Sequence, residues 1–195
     1  MKTILTNDNI NEFLIRIYFD ISDGYEMAAI KRAYRDFNRT LVSFNFDELI
    51  KNDLKSVWIN KLLDKITEIT SINFNSFEEF TLWHQKTCYE LIIANKEYKL
   101  SQGQAQKWIN MTLKYLFVMG ENRIKGINTN YHFFHVPIDN IIMEKFEKHG
   151  IRKFDIAWSK IKDYESYYQY QLKVKDTFKD KIPMDVEFEL FNIID

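Results

Sequence analysis

A chain of 195 residues with 46% hydrophobic and 16% aromatic residues is long enough to bury one substantial core without staples. Its single cysteine, Cys88, excludes an internal disulfide and a cysteine-built zinc cluster, and 5 glycines with 2 prolines are too few for a many-turned β architecture. The formal net charge of −1 conceals a basic middle, since residues 85–181 carry 17 Lys and Arg against 11 Asp and Glu.

The first predicted helix runs from Asn9 to Asp20, with Ile10, Phe13, Leu14 and Ile17 on the face expected to meet the core and Asp8 as its N-cap. Ser22-Asp23-Gly24 ends it. A second helix spans Tyr25 to Phe44, with Met27, Ile30, Tyr34, Phe37 and Leu41 at helical spacing. Lys31, Arg32, Arg35 and Arg39 give it a basic outer face, read either as a solvated surface or as a phosphate-facing stripe. Residues 47–70 form one or two further helices, and 71–75 a loop. Ser76 and Glu79 make a capping box that opens the next helix, whose apolar stripe includes His84 and Cys88. His84 reads as a core histidine with one bonded nitrogen.

Ser101 and Gln104 form a second box, and the helix from Gln102 to Met119 is apolar nearly all round. Its one polar stripe is Lys107, Asn110 and Lys114, which should face solvent or a polar cleft. Residues 120–134 form a long connection of the kind that often carries function. Pro137 suits a first helical position, which puts Asp139 in the first turn of the following helix. Gly150 stops that helix, another spans Asp163 to Phe178, and Pro183 opens the last. The reading is an all-α bundle of roughly eight to ten helices in one domain, with lobes at 1–98 and 99–195 and a cleft between them as a variant. No apolar run approaches the ~18–20 residues of a membrane span, and the polar Asn7-Asp8-Asn9 is unlike a signal peptide. A cytoplasmic protein with no membrane partner and no cofactor is expected.

The basic middle is either ordinary charge scatter or a surface for an anionic partner. There is no phosphate-binding loop, dinucleotide fingerprint or zinc motif. The remaining constellation is Gly103-Gln104-Ala105-Gln106-Lys107-Trp108 followed, one loop later, by Val136-Pro137-Ile138-Asp139. This order resembles the helix-hairpin-helix DNA glycosylases, in particular their 8-oxoguanine branch, over about residues 100–150. The chain departs from that family in lacking its Gly-x-Gly turn before the lysine and in a longer gap from lysine to aspartate.

The resemblance implies a DNA base-excising enzyme acting in repair or antiphage defence, with Lys107 and Asp139 catalytic. Breaking a glycosidic bond builds positive charge on the sugar, which a carboxylate stabilises. A neutral amine can attack the same carbon. An extruded base needs aromatic faces around it, for which Trp108, Tyr131, Phe134, His135 and Trp158 are the nearest candidates in sequence. Lys114, Arg123 and Lys125 are the candidate DNA contacts. The competing reading is a non-catalytic helical protein that binds a partner through a Tyr-rich or basic surface, with Lys107 a surface lysine and Asp139 a helix-dipole residue.

Overall fold

The computed structural model describes residues 5–41 and 46–193. Among these residues the fold is all-α, with eight α-helices, three short 3-10 turns and no strand. The helices are α1 (Asn7–Tyr18), α2 (Tyr25–Phe37), α3 (Glu48–Ser71), α4 (Phe77–Ile93), α5 (Gln102–Met119), α6 (Asn140–Glu147), α7 (Tyr164–Thr177) and α8 (Pro183–Phe191). The 3-10 turns cover Asn38–Thr40, Tyr131–Phe133 and Trp158–Lys160. No described helix is long and apolar enough to cross a membrane.

The centre of the molecule is α5, and all but two of its eighteen residues are buried. Its start is fixed by a full capping box, in which Ser101 Oγ accepts from Gln104 N and the Gln104 side chain accepts from Ser101 N. Gly103 follows because the Trp158 carbonyl lies against it. A Cβ there would stand 1.9 Å from that oxygen. Helix α2 packs along α5, and its buried face includes Ala28, Ala29 and Ala33, whose small side chains suit a close approach. The Trp108 indole spans this contact, donating from Nε1 to the Ile30 carbonyl at 3.0 Å.

The cap of α1 and the end of α2 differ from the sequence reading, each for a local hydrogen-bonding reason. The cap of α1 is Thr6, boxed with Asn9, rather than Asp8. Helix α2 stops at Phe37 instead of continuing to Phe44, and residues 42–44 lie outside the described residues. The Thr40 hydroxyl turns back to the Phe37 carbonyl, and the Gln104 amide takes the Thr40 carbonyl, so the chain is drawn off the helix axis. Residues 48–71 are one helix, capped by Asp47. The Ser76 box is only half formed, because Glu79 reaches the amide of Asn75 rather than that of Ser76.

The largest departure is at α1. The stripe Ile10, Phe13, Leu14 and Ile17 was expected to face the core, yet all four are exposed and Ile15 is the helix's one buried residue. Helix α1 leans on the body along Ile15 and through an ion pair from Glu12 to Arg123. This leaves Leu14 and Ile17 on the wall of a cleft instead of inside the core.

Candidate functional site

The cleft encloses about 780 Å3 and is walled by residues from both halves of the chain. Helix α5 supplies Lys107, Met111, Lys114 and Tyr115, and Asp139 stands at the start of α6. Helix α2 contributes Arg32, Arg35 and Asp36, with Arg39 just beyond it. Leu14, Ile17 and Tyr18 of α1 and Phe188 and Phe191 of α8 complete an apolar rim.

Lys107 and Asp139 meet at the cleft. The Lys107 amine donates to Asp139 Oδ2 at 2.6 Å, with the lysine side chain 5% exposed and the aspartate 22%. Asp139 is the N-cap of α6, not a first-turn residue. Its backbone is extended, and its Oδ1 accepts from Ile142 N at 2.9 Å. One carboxylate oxygen thus holds the helix start while the other holds the amine.

The approach to Asp139 is held in place by side-chain amides. Pro137 does not open α6, because residues 136–138 are buried and outside any helix, which starts at Asn140. Gln106, the residue before Lys107, donates to the Ile138 carbonyl at 2.9 Å and accepts from the Ile138 amide at 3.2 Å. Gln171 of α7 grips Val136 in the same two-point way, at 2.9 and 3.0 Å. Asn110 donates to Val136, to Gln106 and to the Tyr167 hydroxyl. Two glutamines and an asparagine therefore do for this segment what a neighbouring strand would do in a sheet.

The predicted polar stripe of α5 divides. Lys107 and Lys114 reach the cleft, while Asn110 is fully buried behind them. Lys114 pairs with Glu187 of α8, and its amine lies over the Phe188 and Phe191 rings at 4.4 and 5.0 Å. Burial pushes the Glu187 carboxyl above the usual carboxylate range, against the pull of Lys114. Asp36 accepts from the Tyr115 hydroxyl at 2.7 Å and pairs with Arg32, which covers the Tyr18 ring.

Behind Asn110 lies a buried histidine pair. Both nitrogens of His84 are bonded, Nε2 to Asn110 Oδ1 and Nδ1 to the Tyr164 hydroxyl, each at 2.9 Å. The sequence reading allowed one such bond. His135 contacts Thr81 and Tyr167. Burial lowers the pKa of His84 to about 3 and that of His135 well below its ordinary value, so both rings are neutral in the fold. Cys88 is buried beside His84, and burial pushes its thiol up to about 12.

No family model, curated protein or solved structure matches the chain.

The other residues singled out from sequence fall away from the cleft. Trp108, Phe134 and His135 are in the core, with no exposed surface. Tyr131 stacks on Phe117 and bonds Asp185, and Trp158 is buried against Gly103. The rings that line the cleft are Tyr18, Phe19, Tyr115, Phe188 and Phe191. Arg123 is paired with Glu12, and Lys125 lies on a separate depression lined by Asp23, Glu26 and Asp64. Among the described residues no group of three or more His, Cys, Asp or Glu side chains converges as a metal site would require.

Glu187 carried a sequence signal that went unread. It lies three residues from both Met184 and Leu190, on the buried face of α8, and a charge on an apolar face calls for a partner. Gln106 gave less warning, since its role depends on a segment 32 residues away that periodicity does not describe.

Proposed function

We propose that the cleft is the active site of a DNA glycosylase that excises a modified or damaged base, in repair or in antiphage defence. The observation that carries this reading is the contact between Lys107 and Asp139 at a cavity of about 780 Å3. That volume is in the range of ligand pockets, roughly 300–1,000 Å3. The same two residues carry the resemblance to helix-hairpin-helix glycosylases.

In this mechanism an extruded nucleotide enters with its base against the aromatic rim and its sugar toward Asp139. As the C1′–N bond breaks, its electron pair leaves with the base. The Asp139 carboxylate stabilises the positive charge on the sugar. Water then attacks C1′ and gives up a proton while the base takes one up, so the net reaction is hydrolysis. In the lyase variant the attacking group is the Lys107 amine, which forms a bond to C1′ as the base leaves, and the proton it gives up ends on the departing base, so that Asp139 stays ionised.

The test is release of a base from oligonucleotides carrying damaged or phage-type modified bases, scored as abasic sites. Asp139→Asn keeps an oxygen for the Ile142 amide and removes the charge. It should abolish release in a protein that still folds. Borohydride should trap the wild type on DNA, but not Lys107→Ala, if the amine is the nucleophile. A folded Asp139→Asn protein with full activity ends the assignment.

The exposed Phe13, Leu14 and Ile17 of α1 favour a second reading, a non-catalytic protein that binds a partner on this face. Absence of base release together with a partner lost on Ile17→Asp would select it.

A further inference from the structure

Five cationic and three carboxylate side chains line the cleft. Three of the cations are matched within it: Lys107 by Asp139, Lys114 by Glu187 and Arg32 by Asp36. The two left over are Arg35 and Arg39. Both are exposed, and neither makes a hydrogen bond or ion pair among the described residues, while the charge of Arg35 acts at longer range on Asp20. Arg35 lies in the last turn of α2 and Arg39 in the 3-10 turn that follows it, and both line the same cleft. Arg35 rides on α2, which packs along α5 and is tied to it by Trp108. Arg39 follows in the turn held by Thr40 and Gln104. The pair therefore keeps a set distance from Lys107 on the same α5.

We infer that Arg35 and Arg39 form a phosphate-binding ledge at the mouth of the cleft, where they hold phosphodiesters of a DNA strand whose nucleotide enters beside Asp139. The ledge differs from the contacts that the basic middle of the sequence suggests. Lys114 and Arg123 already have carboxylate partners, and Lys125 faces elsewhere. An unpaired guanidinium can engage a phosphate without giving up a protein partner, and its planar fork takes two oxygens at once. The inference rests on the glycosylase reading only for the choice of a nucleic acid. It concerns binding, whereas that reading concerns bond cleavage.

The experiment is fluorescence anisotropy of short fluorescein-labelled DNA, single-stranded and duplex, titrated with the full chain over a range of salt. Each phosphate contact removed should lower the slope of log affinity against log salt by about 0.7 on single strands or 0.9 on duplex. R35A/R39A should therefore bind about a hundredfold more weakly at about 50 mM salt, with a slope shallower by about two such increments. R35K/R39K should keep most of the slope, because the charge remains. K125E serves as the distant control and should bind like the wild type. An RNA strand of the same sequence that binds as well as DNA would support the ledge and broaden its ligand to phosphodiesters in general. Circular dichroism checks folding, which substitution of two exposed side chains should leave intact. Unchanged affinity and slope in R35A/R39A, an equal loss in K125E, or no DNA binding by the wild type would each overturn the inference. Weakened binding in R35A/R39A with no base release from any wild-type reaction would keep the ledge and end the glycosylase reading.

Discussion

Gln106 and Ile138 exchange two hydrogen bonds through the Gln106 carboxamide, so the residue before Lys107 holds the residue before Asp139. The amine and the carboxylate therefore meet through a paired backbone and side chain, and not only through their own flexible arms.

Gln106→Ala removes both bonds and leaves the buried amide and carbonyl of Ile138 without this partner. Each orphaned group costs about 1–3 kcal/mol, so a loss of roughly 2–6 kcal/mol is expected in urea unfolding. If the cleft is catalytic, kcat should fall far more than KM rises, because the damage is to the geometry of Asp139 rather than to the binding rim. A variant as stable and as active as the wild type would show that the clamp positions nothing.

The Lys114–Glu187 pair offers a test of what a buried ion pair contributes. Its side chains are 8% and 4% exposed. Lys114→Met alone strands the Glu187 carboxylate, at a cost of about 3–5 kcal/mol. Lys114→Met combined with Glu187→Leu should regain most of that loss, because no uncompensated charge remains. A double variant no better than the single one would mean that packing against Phe188 and Phe191, and not charge, sets the cost.

Acid should weaken the fold through the two buried histidines. Both are neutral in the native state, with His84 at about 3 and His135 also far below its ordinary value. In the unfolded chain each titrates near 6.5. Their contribution is therefore fully present above that value and is lost as the pH falls toward the native values, because the unfolded state binds more protons. Between pH 7 and 5 the two together should remove about 3–4 kcal/mol. Denaturant midpoints measured across that window should fall steadily, and a flat profile would contradict the assignment of both rings as neutral.

The legibility of this chain follows the reach of each signal. The Ser101 box, the Pro183 start and the apolar surround of α5 are local, and each marked its element. The polar stripe of α5 announced that Lys107 and Lys114 needed a polar surface. It could not announce that Asn110, on the same stripe, would be consumed by His84, Gln106, Val136 and Tyr167. The α1 stripe misled because amphipathicity reports that a helix has an apolar side and not what that side meets. The cleft's own rings come from α1, α5 and α8, and no spacing rule connects Tyr18 to Phe188. Proximity in sequence drew attention to Trp108 and Phe134, which are core residues.

The weak attachment of α1 has a consequence for the rates at which parts of the molecule open. With one buried residue among twelve, this helix can detach while the α2–α5 contact stays closed, at a free energy well below that of global unfolding. Its amides should exchange with deuterium long before those of α5, whose residues are nearly all buried. The outer wall of the cleft, tied to the body at Tyr18 by Arg32 and Tyr115, should thus exchange before the floor that carries Lys107, Gln106 and the clamp on Ile138.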